Sequence, residues 1–232
     1  MAIPKKRKIE NKANSANSAN SANNTASDEG TVSEVIGIDF DVFNLKNEDL
    51  NGILLMLKQL FTNLPITYNG LATHLISQKD VGSVLKLPIE EDDSGSDSDE
   101  PDIFALVSVV NLTLHKNVKC VKKIMVLLKN LVEKNVQDPL IKKQFNDYLE
   151  ECEKSENAKQ IGLLINERFI NIPAKPSYPL CKSLFQEINE KNYNFFAYFA
   201  LCKVYKIKSN SQQDIFEYSK PEDKIFERYS AL

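Results

Sequence analysis

The chain has 232 residues, with 29 Lys and Arg against 32 Asp and Glu, a net charge of −3. So even a balance argues against a general nucleic-acid coat, whose footprint is a large basic excess. The longest apolar run, Ile103 to Val110, is too short to cross a bilayer. No apolar stretch of signal-peptide type follows the charged start, and the expectation is a soluble intracellular protein with no membrane contact.

Residues 1–33 read as a disordered tail. Asn14 to Asn23 repeats "NSA", and nothing in it can repay the entropy of folding. Ahead of it stand Pro4 and four consecutive cations, Lys5, Lys6, Arg7 and Lys8. Short basic clusters on a free segment are what nuclear import receptors read, so these four residues are the candidate nuclear-localisation signal. Residues 34–232 are expected to form one α/β domain.

Order begins near Val35, where Ile36, Ile38, Phe40 and Val42 alternate with Gly37, Asp39 and Asp41 at strand period. Polar alternation on a half-exposed strand explains the two aspartates better than a catalytic carboxylate pair. Asn47, Glu48 and Asp49 offer a cap and an acidic first turn. Leu50, Ile53, Leu54, Leu57, Leu60 and Phe61 then repeat at helical spacing, which predicts a helix over 48–63 closed by Pro65. Residues 71–78 and 81–88 read as two short strands.

Between Glu90 and Asp102 lie eight carboxylates, Glu90, Glu91, Asp92, Asp93, Asp97, Asp99, Glu100 and Asp102. Like charges this dense do not pack, so 89–102 is expected to be a solvated loop. It is the candidate surface for a basic client, held by many salt-sensitive contacts. Ser94 and Ser96 lie among the acids as candidate sites for an acidophilic kinase, which would add charge.

Ile103 to Leu114 predicts a long central strand covered on both faces. Val118, Val121, Met125, Leu128 and Val132 mark one helix, and Ile141, Phe145, Tyr148 and Leu149 a second over 139–153. Lys116, Lys119, Lys122, Lys123, Lys129, Lys134, Lys142 and Lys143 meet only Glu133 and Asp138 in this region. A lysine-rich helical face is commonly just solvated, yet Lys116, Lys119, Lys122 and Lys123 are the best place for an RNA backbone to touch.

A strand over 160–170, a helix with Pro179 in its first turn, a long strand over 195–207, a polar break at 210–213 and a short helix from Pro221 to Tyr229 complete the chain. The expected order is β-α-β-β-β-α-α-β-α-β-α. Three consecutive strands predict a mostly antiparallel central sheet flanked by helices.

That order brings the acetyltransferase (GNAT-like) architecture to mind, in which the turn after the central strand cradles a coenzyme diphosphate with backbone N–H groups. Here the turn is His115 to Cys120, and no glycine occurs between Gly95 and Gly162. The expectation is therefore a chain without a coenzyme site. His74 and His115 stand beside no recognisable nucleophile elbow, and no phosphate loop or dinucleotide fingerprint appears. Cys120, Cys152, Cys181 and Cys202 are too dispersed for a zinc site and read as thiols in a reducing compartment. The chain is expected to be no enzyme and to need no cofactor or metal.

Four stretches, "IDFDVFNLKNEDLNGILLMLKQLF", "QKDVGSVLK", "FALVSVVNLTLHKNVKCVKKI" and "NERFINIPAKPSYPLCKSL", resemble the BCCIP family, with the acidic insertion between the second and third. The resemblance covers 35–230. It implies an acetyltransferase-like fold without acetyl-CoA binding. It also implies a nuclear escort that protects a large-subunit ribosomal protein before assembly and acts in nuclear export. Animal members are adaptors in cell-cycle and DNA-repair complexes. Family members usually continue past the stretch matching "YSKPEDKIFERYSAL", so an unpaired sheet edge is expected here, open to a partner strand or a second copy. In "NERFINIPAKPSYPL", Glu167 and Arg168 are expected to anchor a crossing that Pro173, Pro176 and Pro179 stiffen.

Overall fold

The computed structural model describes residues 39–88, 103–154, 159–207 and 215–228, and the backbone of 7–9. Six strands form the main sheet in the order β1 (Arg7–Ile9), β2 (Phe40–Asn44), β3 (Ser83–Lys86), β4 (Ala105–Asn111), β5 (Gln160–Arg168) and β6 (Phe195–Ala200). All neighbours are antiparallel except β5 and β6, which run parallel. The expected mixed α/β class and mostly antiparallel sheet are therefore found.

The period of two in β4 and β5 sorts their side chains into two cores. Leu106 and Val110 of β4, with Ile161, Leu163 and Ile165 of β5, face one side. There they pack under four helices, α1 (Leu50–Phe61), α2 (Tyr68–Ser77), α3 (Lys119–Asn135) and α4 (Pro139–Lys154). Ala105, Val107, Val109 and Leu164 face the other side, against Leu180, Leu184 and Ile188 of α5 (Ser177–Glu190). Every residue of β4 is buried, as a strand covered on both faces should be.

Several expectations need correction. The predicted strand over 71–78 is helix α2, because Leu71, Ala72 and Leu75 fall on one helical face and all enter the core. His74 therefore rides on a helix. The predicted strand over 195–207 is broken at 201–203. Its first part is β6, and its second, β7 (Val204–Ile207), pairs instead with β8 (Ile215–Tyr218) in a separate two-stranded sheet. Only β3 and β4 are consecutive strands before α3, not three.

The tail also differs from expectation. Arg7–Ile9 pairs its backbone with Phe40–Val42, so half of the basic cluster, Arg7 and Lys8, lies in an edge strand. The backbone of an open edge pairs with any extended segment, whatever its side chains. Lys5 and Lys6 lie outside the described residues. Asp41 is buried, so β2 is not the half-exposed strand that its alternation suggested, although Asp39 is exposed.

Gly82 turns the chain into β3 with φ of +105°. A Cβ there would stand 2.5 Å from Ser108 Oγ and 2.8 Å from the Val107 carbonyl oxygen. Its N–H donates instead to Glu187 of α5 at 2.9 Å, which fastens the start of β3 to the helix beneath it.

Candidate functional site

Glu167 and Arg168 close strand β5, side by side and therefore facing opposite sides of the sheet. Both are buried, and a buried charge persists only when paired. Arg168 donates from Nε to Glu222 Oε1 at 2.6 Å and from Nη2 to Glu222 Oε2 at 2.9 Å. Its Nη1 donates to the carbonyl of Phe169 at 3.1 Å and to that of Ile172. The guanidinium thus anchors the crossing before α5, as expected of Arg168, whereas Glu167, expected to share that role, has its partners elsewhere. Ser177 Oγ adds a bond to Glu222 at 3.2 Å.

Glu167 gathers cations on the other side. Lys203 Nζ stands 3.1 Å from its Oε1, and Gln59 Nε2 of α1 donates to the same oxygen at 2.6 Å. Lys220 Nζ lies 3.5 Å from Oε2 and 3.5 Å from Asp223 Oδ1, and it donates to the Asn166 carbonyl. Lys203, Lys220, Glu222 and Asp223 were not singled out from sequence. All four belong to one strap, residues 203–228, made of β7, β8 and α6 (Asp223–Arg228). The partners of Lys203, Lys220 and Glu222 on β5 lie 36 to 54 residues away, beyond the reach of local patterning, while that of Asp223 is Lys220 itself.

The electrostatics of this cluster are uneven. Burial raises the pKa of Glu222, but the bonds from Arg168 outweigh it and the net direction is down. Asp223 goes the other way. Burial pushes it up to about 6 although Lys220 opposes the rise, and its Oδ2 has no hydrogen-bond partner among the described residues.

The turn after β4, where an acyl-carrier cradle would sit, is closed on itself. Asn111 Oδ1 accepts from the N–H of Thr113 at 3.1 Å and of Leu114 at 2.9 Å. The His115 N–H goes to the Asn111 carbonyl, and that of Val118 to the His115 carbonyl. Thr113 Oγ1 accepts from the Ile161 N–H at 3.0 Å, which locks the turn to β5. Within this turn the N–H groups of Thr113, Leu114, His115 and Val118 are thus engaged by the chain itself.

The two histidines, far apart in sequence, meet here. The rings of His74 and His115 are 4.6 Å apart and nearly perpendicular. Burial lowers the pKa of both, and the charge of His115 lowers that of His74 further. Among the described residues no group of three or more His, Cys, Asp and Glu is placed to hold a metal ion. Burial raises the pKa of all four cysteines, Cys202 to about 11, so each is mostly protonated at neutral pH.

The lysine set divides. Lys119, Lys122 and Lys123 stand together on the exposed face of α3. Lys116 is turned away and donates to the Glu153 carbonyl at 3.3 Å, and Lys142 is engaged by Glu133. Pro65, Val126, Leu127 and Asn130 complete a shallow groove with Lys122 and Lys123. The acidic residues Glu90, Glu91, Asp92, Asp93, Asp97, Asp99, Glu100 and Asp102, with Ser94 and Ser96, lie outside the described residues. What is described is their mooring: Leu85 pairs with Ala105, and the Phe104 N–H donates to the Leu85 carbonyl at 2.8 Å. The described residues on either side of 89–102 are thus neighbours in one sheet.

With this geometry in place, comparison with known proteins adds an independent finding. A family model described as BCCIP matches residues 35–227. The chain is 34% identical over 157 residues to human "BRCA2 and CDKN1A-interacting protein", covering 68% of this chain and 48% of that one. It is 28% identical over 190 residues to "Protein BCP1" of Debaryomyces hansenii, covering 78% of this chain and 59% of that one. The aligned part is thus about half of the human relative's length. Among solved structures, that of BCP1 from Saccharomyces cerevisiae superposes with a TM-score of 0.57 at 22% identity, covering 88% of this chain and 78% of that one. At that identity the likeness speaks for the fold.

Proposed function

The chain belongs to the BCCIP family, and on that premise we propose that it is a non-enzymatic nuclear chaperone and adaptor. It grips a basic client, a large-subunit ribosomal protein, before ribosome assembly and during nuclear export. The observation that carries this reading is the run of eight carboxylates in 90–102, moored at both ends to neighbouring strands of one sheet. Dense negative charge raises the local concentration of a cationic partner and neutralises it until handover. The name of the human relative, an interacting protein, is consistent with an adaptor. The acetyltransferase-like layering and the loss of catalysis belong to the same proposal, supported by the lack of any glycine between Gly95 and Gly162 and by a turn after β4 in which Asn111 takes two of the N–H donors.

A nuclear address at Lys5, Lys6, Arg7 and Lys8 completes the reading. Pairing of Arg7–Ile9 with β2 means that an import receptor would have to peel off a three-residue edge strand. Fusing residues 1–12 to a neutral reporter tests this part, and a cytoplasmic reporter overturns it.

Replacing the eight carboxylates by Asn and Gln tests the main proposal. Affinity for a purified basic large-subunit ribosomal protein is expected to fall at least tenfold in low salt, and wild-type binding to weaken steeply as salt rises. Unchanged affinity overturns it. A second reading, direct contact with RNA in ribosome assembly, draws on the shared exposed face of Lys119, Lys122 and Lys123. Purification of complexes from nuclei with and without nuclease separates the two. Adaptor roles in the cell cycle or DNA repair would show as client-independent complexes in the same purification.

A further inference from the structure

Lys119, Lys122, Lys123, Val126 and Asn130 recur at helical spacing and lie within roughly 100° of arc on α3. All five are exposed. Val126 is 59% exposed, a branched apolar side chain set among cations. None of the three lysines has an ion pair or hydrogen bond to a described residue. Pro65, from the connection between α1 and α2, and Leu127 extend the apolar floor beside Val126. Unpaired cations over an apolar floor form a surface with two demands, negative charge and something greasy to bury.

From this pairing of charge and floor we infer that the α3 face is a second docking surface, and that its partner is an acidic amphipathic peptide segment. Such a segment, laid along α3 as a helix, sets apolar anchors spaced i, i+3, i+4 on Val126, Leu127 and Pro65 and turns carboxylates toward Lys119, Lys122 and Lys123. The stripe from Lys119 to Asn130 is about 16 Å long, enough for roughly three helical turns of a partner. RNA fits less well. No aromatic ring lines the groove, so bases would have no stacking platform, and phosphates would satisfy the lysines while leaving the apolar floor uncovered. The sign of this face is opposite to that of 90–102. The chain would then hold a basic client at one place and an acidic partner at another. The inference does not depend on the escort reading and survives its failure.

The test uses the full chain and three fluorescein-labelled probes. One is a 14-residue helical peptide of glutamates with leucines at positions 4, 7, 8 and 11. The second is its twin with lysine for glutamate, and the third is a 20-nucleotide single-stranded RNA. By anisotropy the acidic peptide is expected to bind and the basic twin to bind elsewhere or not at all. K122E/K123E should lower affinity for the acidic peptide at least tenfold. V126K separates the partners, because it should weaken the peptide at least fivefold while leaving RNA unchanged or stronger. All three positions are exposed, and circular dichroism checks that the variants stay folded. No binding of the acidic peptide overturns the inference, as does V126K binding it undiminished, or RNA binding the face more tightly than the peptide. Binding that emerges only when residues 90–102 are deleted would make that acidic segment the occupant, and would also overturn it.

Discussion

Arg168 and Glu222 face each other in a two-point clasp, with nitrogen to oxygen distances of 2.6 and 2.9 Å, across 54 residues of chain. Both side chains are largely withdrawn from water, at 5% and 12% exposure, so the pair is worth far more intact than broken. The clasp is one of the polar attachments of the strap, beside those of Lys203 and Lys220 to Glu167, while the hairpin β7–β8 pairs with itself.

R168A is therefore expected to lower unfolding stability by about 3 kcal/mol, because it leaves Glu222 buried without its cation. R168K keeps the charge but not the fork, and should fall between. Urea titration measures the loss. Limited proteolysis should cut R168A first within 203–228, and equal resistance of wild type and R168A would refute the clasp.

Asp223 gives the strap a pH dependence of its own. Its folded pKa, about 6, is above the ordinary 3.8, so between those values the folded chain binds more protons than the unfolded one. Stability from this group is complete in acid and is lost as pH rises through about 6. D223N removes that term. Relative to wild type it should gain on the order of 2 kcal/mol between pH 4.5 and pH 7.5. Parallel stability curves for the two proteins would contradict the assignment.

The histidine pair acts in the opposite direction. Both folded pKa values lie below 6.5, so in this range the unfolded chain binds more protons. Their contribution is present above pH 6.5 and falls as pH drops through the lowered values. H74N/H115N should flatten the acid limb of the stability curve below pH 6.5, read as a thermal midpoint that depends less on pH. An unchanged acid limb would show that the rings do not titrate as a buried pair.

The proline crossing is expected to matter more for recognition than for folding. Pro173 is exposed and Pro176 buried at the start of α5, next to the carbonyls that Arg168 holds. P173A/P176A should keep most of the fold by circular dichroism and weaken client affinity, because a looser crossing must be ordered again on binding. Affinity equal to wild type would mean that the crossing is only a connector.

Elements whose pattern is local were legible in the sequence. The apolar run of β4, the helical spacing of α1, α3 and α4, and the start of β5 all declare themselves within a few residues. Misreadings arose where tertiary structure decides. "LATHLIS" carries both alternation and helical spacing, and burial of Leu71, Ala72 and Leu75 on one face settles it as helix. The break after β6 has no glycine or proline to mark it. It falls where Lys203 reaches Glu167, a partner 36 residues earlier. The clasp, the cation cluster at Glu167 and the meeting of His74 with His115 all join residues far apart, which no window along the chain can reveal.

Glu167 draws its neutralising charge from Lys203 and Lys220, both downstream of the main sheet. A deletion series made to map a binding region would run into this dependence. A fragment ending between β6 and Lys203 keeps every strand of the main sheet yet leaves a carboxylate entombed without either counter-ion, and one ending between Lys203 and Lys220 leaves it with one of the two. Loss of interaction in such a fragment would report collapse of the scaffold and not removal of the contact surface. Point substitutions on exposed side chains, with the strap retained, are the sounder way to assign faces to partners.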